Sequence, residues 1–285
     1  MISRARIKFI KSLEMRKYRL LHNAFVAEGP KLVGELLPRF TPLYVAATKE
    51  WLAENRYLLG DVGEVDEVSR EELERASLLR TPQSVLAVMP IPTQNSLLPT
   101  SLDASDARSN SQLSTFLDAL ASRRATDARS DSQLLLALDG VQDPGNLGTI
   151  LRVADWFGIR HVLCSEGTAD AYNPKCVQSC MGALARVEVH YCCLPEVLKE
   201  VQMPIYGTFL DGTDIYEEEL SGDGIIVMGN EGNGISPEVA KLVSRRLYVP
   251  NFPKGSPTTE SLNVAVCTGI VCAEFRRRTI PLPLR

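Results

Sequence analysis

The stretch "IIVMGNEGNGIS", residues 225–236, carries the pattern that indicates the fold. Its apolar first half predicts a buried strand, and the three glycines that follow within six residues predict a loop with a bare backbone. Ser236 and Pro237 then form a pair typical of the first turn of a helix. A strand that passes through such a loop into a helix usually holds a ligand against its backbone, so this loop is a candidate binding site.

The order of those glycines limits the ligand. They follow the pattern G-x-x-G-x-G, which differs from the G-x-G-x-x-G loop of dinucleotide folds, and the chain has no G-x-x-x-x-G-K-[ST] loop. Glu231 lies within the loop, where a carboxylate would repel phosphate but could hold a hydroxyl, an amine or a cation. The pattern therefore favours a ligand with a positive charge or a nucleoside without phosphates.

Five further apolar runs in the second half of the chain are similar to the run in this stretch, and helical patterns separate most of them. This alternation predicts a mostly parallel sheet with helices on its faces and ligands at the carboxyl ends of the strands. The runs are "LLLALD" (134–139), "HVLCS" (161–165), "RVEVHY" (186–191), "IYGTFL" (205–210) and "RLYVP" (246–250).

The first half of the chain predicts a smaller α/β domain. "LYVAATKEWLAEN" (43–55) indicates a strand and a helix, "EVSREELERASLL" (67–79) a helix, and "SVLAVM" (84–89) a closing strand. Residues 91–132 break the pattern, because they are rich in Ser, Ala, Asp and Arg and repeat "SDARSNSQL" as "TDARSDSQL". We interpret 91–132 as a linker or insertion between domains at 1–90 and 133–285.

Composition limits the class of protein. The 285 residues suffice for two domains, and 45% hydrophobic with 23% charged residues is typical of a globular protein in water. No apolar run approaches the roughly 20 residues of a membrane helix, and the basic N-terminus lacks the apolar region of a secretory signal. Seven cysteines without a C-x-x-C pair, and three histidines far apart in sequence, predict neither a disulfide framework nor a metal site. We expect a cytoplasmic location.

Charge is uneven along a chain whose net charge is −4. Basic residues cluster at both ends, where they predict a localised footprint for a polyanion. A solvated helix face is the alternative for either cluster. The clusters are Arg4, Arg6, Lys8, Lys11, Arg16, Lys17 and Arg19 at one end, and Arg276, Arg277 and Arg278 at the other.

A second motif, "LALDGVQDPGNLGTILRVADWFG", occupies residues 136–158. It predicts a strand that ends at Asp139, a turn, and a helix that begins near Asn146. Gly148 lies one turn before Arg152 and costs a helix about 1 kcal/mol relative to alanine, which suggests that something approaches the backbone there while Arg152 reaches over it. The alternative is an ion pair between Arg152 and Asp155 on a solvated face.

A third motif, "YVPNFPKGSPTTESLNVAVCTGIVCAEFRRR", occupies residues 248–278. It predicts a strand that ends at Val249 and Pro250, a loop rich in Pro, Gly and Thr, and a long helix that Ser261 caps. Asn263 would lie in the first turn, where its side chain can point into a ligand cleft. The alternative, an ordinary capped helix, leaves the long loop unexplained.

Together the three motifs resemble the SpoU/TrmH family of SPOUT methyltransferases. The matching elements are N-x-G-x-x-x-R at 146–152, G-N-E-G-x-G-I at 229–235, and V-P…S-L-N-V-A at 249–250 and 261–265. In the first half, "IKFIKSLEMRKYRLLHNAFVAEGPKLVGELL" (7–37) and "TPQSVLAVM" (81–89) are similar to the substrate-binding domain that often precedes this catalytic domain. The resemblance covers nearly everything except the linker.

The resemblance implies a fold and an activity. The fold is a parallel-sheet catalytic domain with a deep trefoil knot, preceded by a small α/β RNA-binding domain similar to ribosomal proteins L7Ae and L30e. The activity is methylation of a ribose 2′-hydroxyl in structured RNA, with ribosomal RNA favoured over transfer RNA, by a homodimer that uses S-adenosylmethionine. That donor is a nucleoside with a sulfonium cation and no phosphate, which agrees with the glycine loop.

The resemblance also implies the site residues. Arg152 is often described as the base in this family, but a guanidinium has a pKa above about 12, so we expect it to stabilise the developing alkoxide or to grip a phosphate. The loop "NFPKGSPTTE" (251–260) is longer than the family's pattern predicts. Residues expected to orient the ribose and Arg152 are Asn146, Glu231, Ser261 and Asn263; residues expected to line the donor pocket are Gly229, Val249 and Leu262, with Thr208, Leu210, Gly232 and Pro250.

Three other functions remain open at this point. The same fold could methylate a base, although the intact N-x-G-x-x-x-R motif favours the ribose. It could also serve as a non-catalytic RNA-binding or ribosome-assembly factor. An unrelated hydrolase has little support, because the chain lacks a G-x-S-x-G motif. Donor binding separates the hydrolase from the first two, and turnover separates the enzyme from the binding protein.

Overall fold

The structure, a computed structural model, describes residues 2–60, 62–92 and 133–279. Residues 93–132 of the predicted linker lie outside the described residues, so that interpretation stays a prediction. The described chain divides into two compact units. The first contains the N-terminal residues together with Leu147–Arg152 and Asp170–Arg186, and the second contains the remaining residues from 133 onward.

The first unit is built on a four-stranded mixed sheet. Its N-terminal elements are α1 (Arg4–Ser12), α2 (Arg16–His22), β1 (Ala24–Glu28), α3 (Pro30–Leu36), β2 (Tyr44–Ala47), α4 (Lys49–Asn55), a 3₁₀ turn (Arg56–Leu58), β3 (Val65–Glu67), α5 (Arg70–Ala76) and β4 (Val85–Pro90). The strand order is β1-β4-β2-β3, with β2 and β3 parallel and the other neighbours antiparallel. Ser69 and Glu72 form a capping box that begins α5. The strands and helices predicted between residues 43 and 89 are all present.

From residue 133 onward, strands and helices alternate as predicted. The elements are β5 (Leu134–Asp139), α6 (Pro144–Trp156), β6 (His161–Cys164), α7 (Pro174–Ser179), a 3₁₀ turn (Ala183–Ala185), β7 (Glu188–Tyr191), α8 (Leu194–Glu200), β8 (Ile205–Asp214), β9 (Gly224–Gly229), α9 (Pro237–Ala240), β10 (Arg245–Tyr248) and α10 (Val264–Thr279). The six strands are parallel in the order β10-β8-β9-β5-β6-β7. The predicted parallel sheet is confirmed, and the trefoil knot stays a prediction.

Strand β5 lies inside this sheet, where the strand order changes direction. Strands β6 and β7 follow on one side, and β9, β8 and β10 on the other. The register places Asp139, the last residue of β5, opposite Gly229, the last residue of β9. Loops that leave neighbouring strands at such a point open a crevice at the carboxyl edge of the sheet. The topology therefore brings the second motif next to the glycine loop.

Gly148 in α6 faces another helix, which differs from the expected ligand contact. A Cβ atom at Gly148 would lie 2.5 Å from the carbonyl oxygen of Cys176 and 2.6 Å from Cβ of Ser179, both in α7. The glycine thus allows α6 and α7 to pack closely. The atoms next to its backbone belong to α7 and not to a ligand. Arg152 is exposed, and none of the described residues forms an ion pair with it, so the alternative of a pair with Asp155 is wrong.

The first turn of α10 is capped by Asn263, two residues closer to the helix than the cap that the sequence predicts. The Asn263 Oδ1 atom accepts hydrogen bonds from the backbone N–H groups of Ala265 (3.0 Å) and Val266 (3.3 Å). Ser261 precedes the helix and is exposed. The predicted cap at Ser261 is therefore wrong, because a loop residue with an equally short polar side chain takes that role.

Only some side chains of the N-terminal basic cluster are available to contact a polyanion. Arg19 is 2% exposed, and its guanidinium donates to Asp170 (2.6 Å) and to the carbonyl oxygens of Leu13 (2.8 Å) and Glu14 (2.7 Å). Arg6 is paired with Glu64. The predicted polyanion footprint is thereby reduced to the exposed side chains Arg4, Lys8, Lys11, Arg16 and Lys17.

The C-terminal basic cluster is used for contacts inside the protein. Arg276 donates to the carbonyl oxygen of Phe157 (2.8 Å), just after α6 ends. Arg278 donates to the carbonyl oxygen of Ile215 (2.8 Å) and to Glu274 (2.7 Å), which Arg277 also contacts (2.8 Å). The polyanion footprint predicted here is wrong for Arg276 and Arg278, since these contacts occupy their guanidinium groups.

The buried pair of Arg19 and Asp170 generates the first prediction. We expect Asp170→Asn to lower the free energy of unfolding by about 3 kcal/mol, because it leaves a buried positive charge without its carboxylate. Glu35→Gln is the matched control, since its pair with Arg186 joins side chains that are 40% and 50% exposed, and we expect a loss below about 1 kcal/mol. Urea unfolding at pH 7 measures both, and equal losses would contradict the prediction.

The second prediction concerns Glu274. Its hydrogen bond with Arg277, followed by that with Arg278, lowers the pKa of the Glu274 carboxyl from 4.5 to about 2 although burial opposes the shift. A lowered pKa in the folded state contributes stability above pH 4.5, and that contribution is lost as the pH falls towards 2. We expect Glu274→Gln to cost about 3 kcal/mol at pH 7 and about 1 kcal/mol at pH 3 in urea unfolding. A difference between wild type and variant that does not change with pH would contradict this.

Candidate active site

A pocket of about 600 Å³ opens where β8, β9 and β10 end. This volume is within the roughly 300–1,000 Å³ that is usual for small-molecule sites. The glycine loop forms one side, and the long loop between β10 and α10 forms another. The lining consists of residues 208–210, 228–235, 247–251 and 258–262, together with Val264 and Cys267.

The predicted donor-binding residues all lie in this pocket. They come from strand β8, from the end of β9 with the glycine loop, and from the loop between β10 and α10, and the parallel sheet brings these segments together. Two residues predicted to act in catalysis, Glu231 and Ser261, also line it. Their individual roles stay predictions. The seven predicted donor residues in the lining are Thr208, Leu210, Gly229, Gly232, Val249, Pro250 and Leu262.

Position 229 must be a glycine, because no larger residue fits there. A Cβ atom there would collide with the backbone of Gly234 and Ile235, where the glycine loop folds back over the end of β9. Gly232 is different, because the nearest atom to a Cβ at that position is Asn230 Oδ1 at 3.6 Å. A side chain would therefore clash with other parts of the protein at Gly229 but not at Gly232.

Asn230 organises the glycine loop and was missed by the sequence reasoning. Its Oδ1 atom accepts hydrogen bonds from the backbone N–H groups of Gly232 (2.9 Å) and Asn233 (2.9 Å), and its Nδ2 atom donates to the carbonyl oxygen of Gly140 (2.7 Å). The first two contacts form an Asx turn. An asparagine directly before a glycine-rich turn was the available signal, whereas the contact with Gly140 follows only from the pairing of β5 with β9.

Side chains from all three motifs form one hydrogen-bonded chain. Asn263 Nδ2 donates to Asn146 Oδ1 (3.0 Å), and Asn146 Nδ2 donates to Glu231 Oε1 (3.0 Å). The direction is fixed at both ends, because an ionised carboxylate only accepts and Asn263 Oδ1 is already occupied by the N–H groups of α10. We call this arrangement the Asn263–Asn146–Glu231 chain.

Glu231 carries a negative charge in this arrangement. Burial acts to raise the pKa of its carboxyl, but the hydrogen bond from Asn146 and those from backbone N–H groups outweigh burial and lower the pKa. One of these backbone donors is Gln142, 3.3 Å from Glu231 Oε2. The lowered pKa makes this carboxylate a weak base and a good hydrogen-bond acceptor.

Arg152 lies outside the Asn263–Asn146–Glu231 chain. It follows Asn146 by six residues in α6, so the two side chains leave the helix about 120° apart. The structure brings Asn146, Glu231 and Asn263 together but leaves Arg152 exposed, with no hydrogen bond or ion pair to any described residue. Its guanidinium is therefore available to a ligand.

Two histidines lie together, contrary to the sequence argument against a metal site. The parallel pairing of β6 with β7 places His161 Nδ1 3.2 Å from His190 Nε2, with Glu188 Oε2 3.7 Å and 3.9 Å from these nitrogens. Distance along the sequence was a poor guide, since neighbouring parallel strands bring distant residues into contact. The absence of a metal stays a prediction.

Both halves of the chain match known families. Residues 133–273 match the SpoU rRNA methylase family, and residues 4–87 match the MRM3-like substrate binding domain. These two matches leave the predicted linker between them and agree with the order of domains that the sequence indicates.

Several known proteins are similar to this chain over nearly its whole length. A structure assigned to the TrmH family of RNA methyltransferases, from Porphyromonas gingivalis, is 40% identical, covers 98% of this chain and 99% of its own, and superposes with a TM-score of 0.76. The 23S rRNA (guanosine(2553)-2′-O)-methyltransferase RlmP of Bacillus subtilis is 29% identical over 95% of this chain and 96% of its own length. An AdoMet-bound rRNA methyltransferase from Sinorhizobium meliloti, 23% identical over 99% and 98% of the two chains, has the same fold with a TM-score of 0.77.

The fold and the pocket define a parallel α/β methyltransferase preceded by a substrate-binding domain. The chain belongs to the SpoU/TrmH family of RNA methyltransferases. This membership confirms the family, the enzyme class and the methyl donor, S-adenosylmethionine, that the three motifs predicted.

The close packing at Gly229 generates the third prediction. We expect Gly229→Ala to weaken binding of S-adenosylmethionine at least about tenfold, because its Cβ atom forces residues 230–235 of the pocket wall to move. Gly167→Ala is the matched control, because this exposed glycine lies outside the pocket lining and the nearest atom to its Cβ, Gly140 Cα, is 3.9 Å away; it should change the dissociation constant by less than about twofold. Isothermal titration calorimetry measures both, with circular dichroism as a check on folding. Equal affinities in the two variants would contradict the assignment.

Proposed function

We propose that this protein transfers a methyl group from S-adenosylmethionine to a ribose 2′-hydroxyl in ribosomal RNA. The observation that carries the proposal is the Asn263–Asn146–Glu231 chain, because it joins the three motifs and ends at Glu231, which lines the pocket. The name of the Bacillus subtilis relative, which matches over nearly its whole length, favours ribosomal over transfer RNA and the ribose over the base.

The pocket suits the donor in size and in its bare backbone at Gly229. When bound, S-adenosylmethionine supplies an electrophilic methyl group on a positively charged sulfur. We assign the main contacts to the backbone around Gly229, Val249 and Leu262. Thr208, Leu210, Gly232 and Pro250 complete the wall.

Arg152 is assigned to the acceptor RNA. A guanidinium stays protonated in proteins, so Arg152 is assigned as a fixed positive charge and not as a base. A fixed cation of this kind stabilises the negative charge that develops on the 2′-oxygen, or holds the adjacent phosphate. Its exposure and its lack of a partner among the described residues support either contact.

The polar residues around the pocket are assigned to orientation. The low pKa of Glu231 makes it a poor proton acceptor, so we assign it to holding Asn146. Asn263 fixes the other side of Asn146 and the start of α10. The exposed hydroxyl of Ser261 lies at the pocket, where it can donate to the ribose. Holding the reactants in one geometry is a large part of catalysis in a displacement, on the order of 7–11 kcal/mol when alignment is tight.

The N-terminal residues are assigned to binding the RNA substrate. Five exposed basic side chains on and beside α1 and α2 remain free for phosphate contacts, and the match to a substrate binding domain supports this role. We propose residues 1–90 as the RNA-binding domain, similar to L7Ae and L30e, residues 91–132 as a linker, and residues 133–285 as the knotted catalytic domain. The exposed basic residues are Arg4, Lys8, Lys11, Arg16 and Lys17.

Assembly and location belong to the same proposal. We propose a homodimer, which the exposed apolar side chains of Leu262 (48%) and Val266 (54%) at the start of α10 support. We propose a cytoplasmic location, where ribosomal RNA is available. Among the described residues, no helix combines the length and the apolar character that crossing a membrane requires.

The fourth prediction tests the activity through Arg152. We expect Arg152→Ala to lower kcat for methyl transfer to ribosomal RNA by about 100-fold or more, because a positive charge near the developing oxyanion is lost. Donor affinity should stay unchanged, since Arg152 does not line the pocket. Transfer of labelled methyl to total ribosomal and transfer RNA, followed by alkaline digestion, measures both rate and position, because 2′-O-methylation blocks cleavage of the adjoining phosphodiester.

Lys241→Ala is the matched control, since this exposed cation lies outside the pocket lining. Label in alkali-resistant dinucleotides that is lost in Arg152→Ala and kept in Lys241→Ala supports a ribose methyltransferase. Label in ordinary mononucleotides would instead establish a base methyltransferase. Donor binding without transfer to any RNA would favour the non-catalytic alternative.

A further inference from the structure

Phe252, in the long loop between β10 and α10, has a side chain that is 97% exposed. Burying a phenylalanine side chain normally stabilises a protein substantially. Because Phe252 is almost fully exposed, its side chain does not contribute this stabilisation. Its neighbours Pro253, Lys254 and Gly255 are exposed as well, and of these three only Pro253 is apolar. Interfaces between proteins usually bury aromatic rings within an apolar centre, so an isolated ring in a polar loop fits another kind of partner.

The loop around Phe252 is held by its own hydrogen bonds. Asn251 Nδ2 donates to the carbonyl oxygen of Ser256 (2.7 Å), and Asn251 Oδ1 accepts from the N–H of Gly255 (3.3 Å). The N–H of Ser256 donates to the carbonyl oxygen of Pro253 (3.0 Å). Lys254 Nζ lies 3.4 Å from Asp214 Oδ2. These contacts close a turn from 251 to 256, and the ring of Phe252 is presented outward from it.

This turn is next to the donor pocket. Asn251, which holds the turn together, lines the pocket, and so do Thr258, Thr259, Glu260 and Ser261 at the other end of the same loop. Phe252 therefore lies at the rim on the loop that also supplies the wall. In the proposed reaction a nucleotide of RNA brings its hydroxyl to this pocket, so Phe252 lies within reach of the RNA next to that nucleotide.

We propose that Phe252 stacks on an unpaired base of the substrate RNA, at or beside the methylated nucleotide, and so positions its ribose over the pocket. The inference rests on the proposed function and adds the substrate class: RNA in which the target region is single-stranded or flipped out of a helix. Aromatic side chains bind unpaired RNA bases in this way because every base has a flat π-face. Such a contact needs a flat, exposed ring on a backbone that is held in place. Phe252 has such a ring, and the hydrogen bonds of the turn from 251 to 256 hold its backbone.

The fifth prediction compares Phe252→Ala, Phe252→Leu and Phe252→Trp. Leucine keeps an apolar side chain but has no π-face, whereas tryptophan keeps the π-face. We expect Ala and Leu to raise KM for RNA about tenfold or more, the change that loss of one base–aromatic stack produces, and Trp to stay within about twofold of wild type. The affinity for S-adenosylmethionine, measured by calorimetry without RNA, should be the same in all variants. Fluorescence of the added tryptophan should be quenched by substrate RNA, in excess of any quenching in wild type.

The outcomes separate this inference from the proposed function. Methyl transfer by wild type with an unchanged KM in Phe252→Ala overturns the inference and leaves the proposed function standing. A tenfold rise in KM for Ala but not for Leu overturns stacking, because apolar bulk alone would then suffice. A change in oligomeric state of Phe252→Ala on size-exclusion chromatography also overturns it, since the ring would then contact a second copy of the chain. Absence of transfer by wild type overturns both.

Discussion

The parallel pairing of β5 with β9 is the constraint on which the site depends. It places Asp139 opposite Gly229, so the turn that leads into α6 and the glycine loop leave the sheet at the same point. The side chain of Asn230 then reaches the carbonyl oxygen of Gly140, and Asn146 reaches Glu231. A shift of one strand by one residue would reverse the faces of that strand relative to its neighbour and separate these contacts. The pocket therefore depends on the register of two buried strands.

The hydrogen bonds of the Asn263–Asn146–Glu231 chain all run in one direction, from Asn263 to Glu231. Each amide has one donor end and one acceptor end, and the chain uses both ends of Asn146. Its carboxylate end keeps Glu231 ionised, and its other end begins α10. One asparagine thus links the helix of the second motif, the glycine loop and the cap of the last helix. The Asn263–Asn146–Glu231 chain itself contains no positive charge, and Arg152 leaves α6 on another side and stays exposed.

Arginine has three different roles in this chain, and sequence position does not distinguish them. Arg19 is buried beside Asp170, Arg276 binds the carbonyl oxygen that follows α6, and Arg152 is free of described partners. All three are basic residues in or near helices. The difference arises because a guanidinium has five donors in a plane and takes whichever carbonyl or carboxylate oxygens the tertiary structure presents. Counting basic residues therefore overestimates the surface that is open to RNA.

The sequence by itself determined the six parallel strands, the glycine loop and the motif residues, because these follow from local patterns of apolar residues and from residue types with restricted roles. It also indicated seven residues that line the pocket, since the family's motifs carry them, and their part in binding the donor stays a prediction. It did not determine that Asn263 caps α10 in place of Ser261, that Asn230 holds the glycine loop, that Gly148 faces α7, or that His161 meets His190. Each of these depends on which atoms a distant segment places nearby, and only the paired strands and packed helices decide that.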